Sequence, residues 1–304
     1  MFKRLLVPLD GSTLAESVLP TVKYFATRFR ATVVLFHVLE QGARRTIHGE
    51  RHLLNGDEAE TYLEDVAARL SESNLKIETD VHATQETDVA RSIIEHIEEL
   101  KGDLVVLCAH GGGGLRDVFV GNIAQQVVAR GSTPVLFVHP RMSNAPAFEC
   151  RKILIPLDST PHHEPALPIA SEIARRCDST LNLLTVVPTT NTLSAERAGT
   201  GMLLPTTMNA VLDLAQRGAV EYLQTTAARL LAEGIATTAQ VTRGDPASSI
   251  LKLAKDNQAD LIVLATHGRT NAGAFWSGSV TPKILSRAQI PVLLVRMLGE
   301  EAKR

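Results

Sequence analysis

Short apolar runs rich in Leu, Val and Ile alternate along this chain with longer stretches whose apolar residues recur every three to four positions. The runs mark strands buried on both faces, and the longer stretches mark helices with one apolar stripe. Lys3 to Leu9 reads as a strand ending at Asp10-Gly11. Thr13, with Glu16 three residues on, makes a capping-box pattern at the head of a helix whose stripe is Leu14, Val18, Val22, Phe25 and Phe29. Thr32 to Val38 predicts the next strand, and a polar segment from Gln41 to Asp57 leads into a helix from about Glu58 to Ser71. Ile77 to Val81 reads as a strand, Val89 to Leu100 as a helix and Leu104 to Leu107 as a fully buried strand. A glycine tract follows, then a helix over Ile123 to Arg130 and a strand over Val135 to Val138.

The same order then runs again. Strand Lys152 to Leu157 is followed by Thr160-Pro161 as an N-cap and N1 pair, and by a helix to about Cys177. Strand Leu181 to Val187, a long loop through Pro205, and helix Val211 to Glu233 come next. Strand Thr237 to Val241, helix Ala247 to Asn257, strand Leu261 to Ala265, a helix from near Val280 and strand Val292 to Val295 complete the copy. The wording itself repeats. "LLVPLD" from Leu5 returns as "ILIPLD" from Ile153, a shift of 148. "DLVVLCAHG" from Asp103 returns as "DLIVLATHG" from Asp260, and "TPVLFV" from Thr133 as "IPVLLV" from Ile290, both shifts of 157. Solenoid repeats are far shorter, roughly 20–50 residues. The chain therefore reads as two copies of one domain, residues 1–140 and 151–298, joined by the linker Pro140 to Cys150. Apolar strands alternating with helices predict two tandem α/β domains of doubly wound, Rossmann-like type, each with a five-stranded parallel sheet.

Composition narrows the picture. A formal net charge of −2 and a pI near 6.6 give no basic surplus for nucleic acid or an anionic membrane. The apolar run at the N-terminus is broken by Pro8 and is too short for a signal-peptide core, and no run approaches a membrane span. Cys108, Cys150 and Cys177 form no C-x-x-C pair, which fits a reducing compartment. A soluble cytoplasmic protein is the expectation.

Two elements fall at strand carboxyl ends, where open α/β sheets bind ligands. One is the carboxylate after the first strand of each half, Asp10 and Asp158. The other is the loop after the fourth strand: His110-Gly111 followed by three more glycines, and His267-Gly268-Arg269. Each loop runs to a glycine and a polar residue opening a helix, Gly121-Asn122 and Gly278-Ser279. Glycines admit an anion close to the backbone, and a helix N-terminus offers it free N–H groups. The pattern is a phosphate cradle with a carboxylate nearby.

These residues resemble the universal stress protein family, in a tandem two-domain form. The nucleotide-binding branch of that family carries G-x-x-G-x9-G-[S/T]. Ala265-Thr266-His267-Gly268, nine residues, then Gly278-Ser279 follow it in the second half; Cys108-Ala109-His110-Gly111, nine residues, then Gly121-Asn122 follow it in the first. The resemblance implies ATP or another adenine nucleotide, with or without Mg²⁺, held in the second half by Pro156, Asp158, Val186, Ala265, His267, Gly268, Gly278, Ser279 and Val280. Pro8, Asp10, Val38, Cys108, His110, Gly111, Gly121, Asn122 and Ile123 are the weaker first-half equivalents. The departures favour the second half. Cys108 stands where the motif has glycine and is expected to crowd the pocket, and Asn122 cannot imitate a hydroxyl ligand to Mg²⁺. Thr87-Asp88-Val89-Ala90 replaces the Gly244-Asp245-Pro246-Ala247 of the second half.

Other chemistries lack their motifs. The "HGGG" of His110 to Gly113 would need a G-x-S-x-G elbow to serve an esterase, and the chain has none, nor a P-loop. His48, His52, His162 and His163 read as surface residues and not as metal ligands, Cys108 as an inert thiol, and Phe275 and Trp276 as packing residues. The resemblance implies a nucleotide-dependent stress-response module with an unidentified protein partner and at most slow ATP hydrolysis. The alternative is a regulatory scaffold that binds no nucleotide. The last strands, Val135 to Val138 and Val292 to Val295, are the implied interface of an intramolecular pseudo-dimer, with homodimerisation a further expectation.

Overall fold

The computed structural model describes residues 1–42, 46–47, 50–71, 74–109, 121–140, 147–159, 164–193, 204–267 and 280–297. In chain order the first half gives β1 (Arg4–Pro8), α1 (Thr13–Glu16), α2 (Leu19–Phe29), β2 (Thr32–Glu40), a two-residue hairpin β3 (Thr46–Ile47) and β4 (Glu50–Arg51), α3 (Gly56–Ser71), β5 (Ile77–Glu86), α4 (Val89–Glu99), β6 (Leu104–Cys108), α5 (Asn122–Arg130) and β7 (Val135–Val138). The second half gives β8 (Lys152–Pro156), α6 (Ala166–Cys177), β9 (Thr180–Val187), α7 (Pro205–Ala232), β10 (Thr237–Arg243), α8 (Pro246–Asp256), β11 (Leu261–His267), α9 (Val280–Leu285) and β12 (Val292–Met297).

Two compact units result, one formed by Met1–Glu149 with β12, the other by Cys150–Ala265 with the start of α9. In the first unit the strand order is β12-β7-β6-β1-β2-β5. All neighbours are parallel except β12, which runs antiparallel to β7 with Leu293 opposite Leu136. The two last strands named from the sequence thus pair directly with each other. In the second unit the order is β10-β9-β8-β11, all parallel. Each order reverses beside its first strand, between β1 and β6 and between β8 and β11, which is the doubly wound arrangement. Leu5, Leu6 and Val7 of β1 and Ile153, Leu154 and Ile155 of β8 are essentially inaccessible, because helices cover both faces.

A shared aspartate ties the central strands together. Asp103 accepts from the Lys3 and Arg4 amides at 2.6 and 3.0 Å, and Asp260 accepts from the Arg151 and Lys152 amides at 2.8 and 2.9 Å. The aspartate that opens both "DL[VI]VL" runs is a clamp on the start of the first strand.

Several expectations are corrected. Ser12, not Thr13, caps the first helix, its side chain accepting from the Ala15 amide at 3.1 Å. Thr13 instead bonds Glu50, and Glu16 pairs with Arg69 at 2.8 Å. The helix breaks before Leu19, where Pro20 sits in the first turn of α2. The linker ends are packed: Phe148 is buried against Tyr24 and Phe25, with centroids 5.1 and 5.6 Å apart. The Thr160-Pro161 cap lies outside the described residues, and the described helix starts at Ala166.

Candidate functional site

A cavity of about 410 Å³ opens at the switch point of the first unit. Its walls come from the carboxyl ends of β1 (Pro8, Asp10), β2 (His37, Val38, Glu40) and β6 (Leu107, Cys108), and from the start of α5 (Gly121, Asn122, Ile123). Of the first-half residues named from the sequence, the structure gathers Pro8, Asp10, Val38, Cys108, Gly121, Asn122 and Ile123 around this one space. His110 and Gly111 lie outside the described residues. The volume is within the ordinary range for small-molecule sites, roughly 300–1,000 Å³.

Local chemistry positions each wall. Gly11 turns the chain after β1 through a left-handed φ of 88°, a conformation that costs any residue with a Cβ. The turn lets Asp10 Oδ1 accept from the Ser12 amide at 3.0 Å and from its hydroxyl at 2.6 Å, fixing the carboxylate at the cavity. At the opposite wall, no side chain among the described residues caps α5 at Gly121, and the first residues of the helix, with their N–H groups and positive dipole end, line the cavity. The Cys108 thiol lies 3.4 Å from Ser17 Oγ, and the cavity persists beside it. Crowding by Cys108 does not close the pocket. Burial pushes its pKa up to about 11, the Ser17 hydrogen bond opposing, so the thiol is a poor nucleophile.

Sequence reasoning missed His37. The ring is 3% exposed, and its Nδ1 sits 2.7 Å from the Leu9 carbonyl oxygen. A carbonyl only accepts, so this partner assigns the proton to Nδ1 and leaves Nε2 as a lone-pair acceptor. Nε2 is buried and has no hydrogen-bond partner among the described residues. Burial lowers the pKa of His37, against the Leu9 bond, which raises it; His52 lowers it further and Asp10 raises it. The imidazole is therefore neutral. At the same point of the repeat, Thr185 Oγ1 donates to the Leu157 carbonyl at 3.0 Å. The signal was legible as the one polar residue inside the run "VVLFHV", matched by Thr185 at a shift of 148. His52 also departs from expectation, being buried at the cavity wall and not at the surface.

In the second unit, Pro156 ends β8, Val186 lies near the end of β9 and Ala265 near the end of β11, on three adjacent parallel strands. Asp158 is exposed two residues beyond β8, after which Ser159 takes a left-handed φ of 64°. Val280 is the first residue of α9, and His267 the last of β11. Gly268, Gly278 and Ser279 lie outside the described residues, as do His48, His162, His163, Phe275 and Trp276. Both Asp88 and Asp245 cap their helices, accepting from the Arg91 and Ser248 amides at 3.0 and 2.9 Å, so the Thr87 departure leaves the helix start intact.

A doubly wound repeat with a ligand-sized cavity at its first switch point is the frame in which open α/β sheets hold small ligands. The model of the universal stress protein family matches residues 1–139 and again 149–296, and the chain belongs to that family. Universal stress protein MJ0577 of Methanocaldococcus jannaschii is 25% identical over 163 residues, spanning 47% of this chain and 98% of that protein. A universal stress protein of Mycolicibacterium smegmatis is 26% identical over 295 residues, spanning 93% of this chain and 86% of that one. In fold, the chain is similar to the crystal structure of a universal stress protein from Archaeoglobus fulgidus, with a TM-score of 0.71, 16% identity and 96% of each chain covered. No helix among the described residues is long and apolar enough to cross a membrane.

Proposed function

We propose that this chain is an adenine-nucleotide-binding regulatory module of the cytoplasm, binding in both halves. The observation that carries the reading is the cavity at the first switch point, lined by the start of α5, by the anchored Asp10 and by His37, whose Nε2 has no partner among the described residues. These residues fit an adenine nucleotide. The start of α5 suits a phosphate, the anchored Asp10 suits a ribose hydroxyl, and a neutral acceptor suits an exocyclic amine. The second half is supported by its closer match to the nucleotide motif of the family. We place no catalytic base: burial holds Cys108 as the thiol, and the acceptor nitrogen of His37 is assigned to ligand binding.

A substitution at the second-half cradle separates this reading from a scaffold that needs no ligand. Gly278→Val is expected to remove one ATP equivalent in calorimetry while leaving the circular dichroism melt of the protein unchanged. Full retention of ATP by Gly278→Val would exclude the second-half site. No ATP uptake by the wild-type chain would leave the scaffold.

A further inference from the structure

Phe36, a residue of the cavity wall, stacks on His96 of α4 with ring centroids 4.6 Å apart. His96 in turn meets His82 of β5, the edge strand of this unit's sheet, with the rings nearly perpendicular at 86°. His82 Nδ1 lies 3.2 Å from His96 Nε2. Each imidazole also uses its other nitrogen: His96 Nδ1 lies 2.8 Å from the Ser92 carbonyl oxygen, and His82 Nε2 lies 3.2 Å from Glu86 Oε1. A carbonyl and a carboxylate only accept, so these partners assign hydrogens to both outer nitrogens. In the neutral rings both inner nitrogens are then lone pairs, pointed at each other across 3.2 Å. That contact is repulsive unless a cation lies between them.

The outer partners of the two rings are of the kind that metal-ligating histidines use. Ligating histidines characteristically donate their far N–H to a carboxylate or a backbone carbonyl, which fixes the ring and raises its basicity. Two imidazole nitrogens on one tetrahedral Zn²⁺, at about 2.0–2.1 Å each, stand about 3.4 Å apart. The observed separation is slightly short of that, within reach of a small ring movement. A third donor waits beside them, since Glu99 Oε2 lies 3.9 Å from His96 Nε2. Among the described residues no three ligating side chains already surround one point. Glu99 is exposed at the end of α4, so its carboxylate is not locked in place by packing.

We propose that His82 Nδ1, His96 Nε2 and the Glu99 carboxylate bind a borderline divalent cation of the Zn²⁺ class, with water in the fourth position. Imidazole and carboxylate ligands suit such an ion better than Ca²⁺ or Mg²⁺, which prefer oxygen alone. The site is separate from the nucleotide cavity and does not depend on a nucleotide being bound there.

The test is calorimetric titration of the chelator-treated full chain with Zn²⁺ alone. Wild type is expected to bind one equivalent more than His82→Gln, and Glu99→Gln to bind that equivalent about 10-fold more weakly. Zn²⁺ is expected to raise the melting temperature of wild type and not of His82→Gln. Because Glu99 is exposed, its variant reports even if a histidine substitution unfolds the edge strand. Equal Zn²⁺ stoichiometry and affinity in wild type and His82→Gln would overturn the proposal, as would an unchanged Glu99→Gln. An absence of Zn²⁺ binding by wild type would do the same, leaving a shared proton between the rings.

Discussion

Replacing His37 by threonine imports the residue that the second half uses at the same point of its second strand. Thr185 shows that a hydroxyl can hold the first-strand carbonyl, at 3.0 Å from the Leu157 oxygen, so the introduced threonine is expected to keep the bond to Leu9. What disappears is the acceptor Nε2, which has no partner among the described residues. A neutral hydrogen bond contributes about 0.5–1.5 kcal/mol net, equivalent to roughly a 2- to 12-fold change in Kd. The lost ring also leaves a void at a position that is 3% exposed, at a cost of about 1–3 kcal/mol in stability. The assay is calorimetric ATP titration in an Asp158→Ala background, which isolates the first-half site, with denaturant melts run in parallel. A folded His37→Thr protein whose ATP affinity equals that of its parent would refute the assignment of His37 as a ligand acceptor.

Three further outcomes follow from the same geometry. Burial lowers the pKa of both His37 and His139, with backbone hydrogen bonds opposing in each case. The unfolded chain takes up these protons first, so stability is full above about pH 6.5 and is lost as pH falls below it, by up to about 1.4 kcal/mol per pH unit for each histidine. Denaturant melts between pH 7.5 and 5 check this, and His37→Thr should shallow the slope; a flat profile would contradict it. Asp103→Ala and Asp260→Ala each remove a two-pronged clamp and should cost about 1–3 kcal/mol, read as lower denaturation midpoints. Cys108, with its pKa pushed up to about 11, should react with iodoacetamide far more slowly in the native protein than in urea at pH 7.5; equal rates would contradict its burial.

The repeat made most of the architecture legible. A period of one domain length, with apolar runs in the same order twice, fixes two doubly wound units, because strands buried on both faces leave no polar alternation to mislead. The site's frame was legible for a related reason: Asp10, Val38, Cys108 and Gly121 sit at strand ends or a helix start, which the topology sends to one edge. The misses are local. Ser12 and Thr13 are equally good caps in sequence, and only the turn at Gly11 selects Ser12. The apolar pattern ends a strand at Val81, whereas β5 runs to Glu86, because polar residues dominate an edge strand's outer half. His37 hides within an apolar run, and its role emerges only once Leu9 is seen to occupy its other nitrogen. His52 lies in a polar segment whose fold against β2 has no periodic signature.

The most direct test of the account is the number of adenine nucleotides bound per chain, measured by calorimetric titration of the wild-type protein with ATP and Mg²⁺. Two equivalents are predicted, falling to one in Asp158→Ala. One equivalent that Asp158→Ala abolishes would contradict a working first-half cavity, and no binding at millimolar ATP would contradict the nucleotide reading altogether.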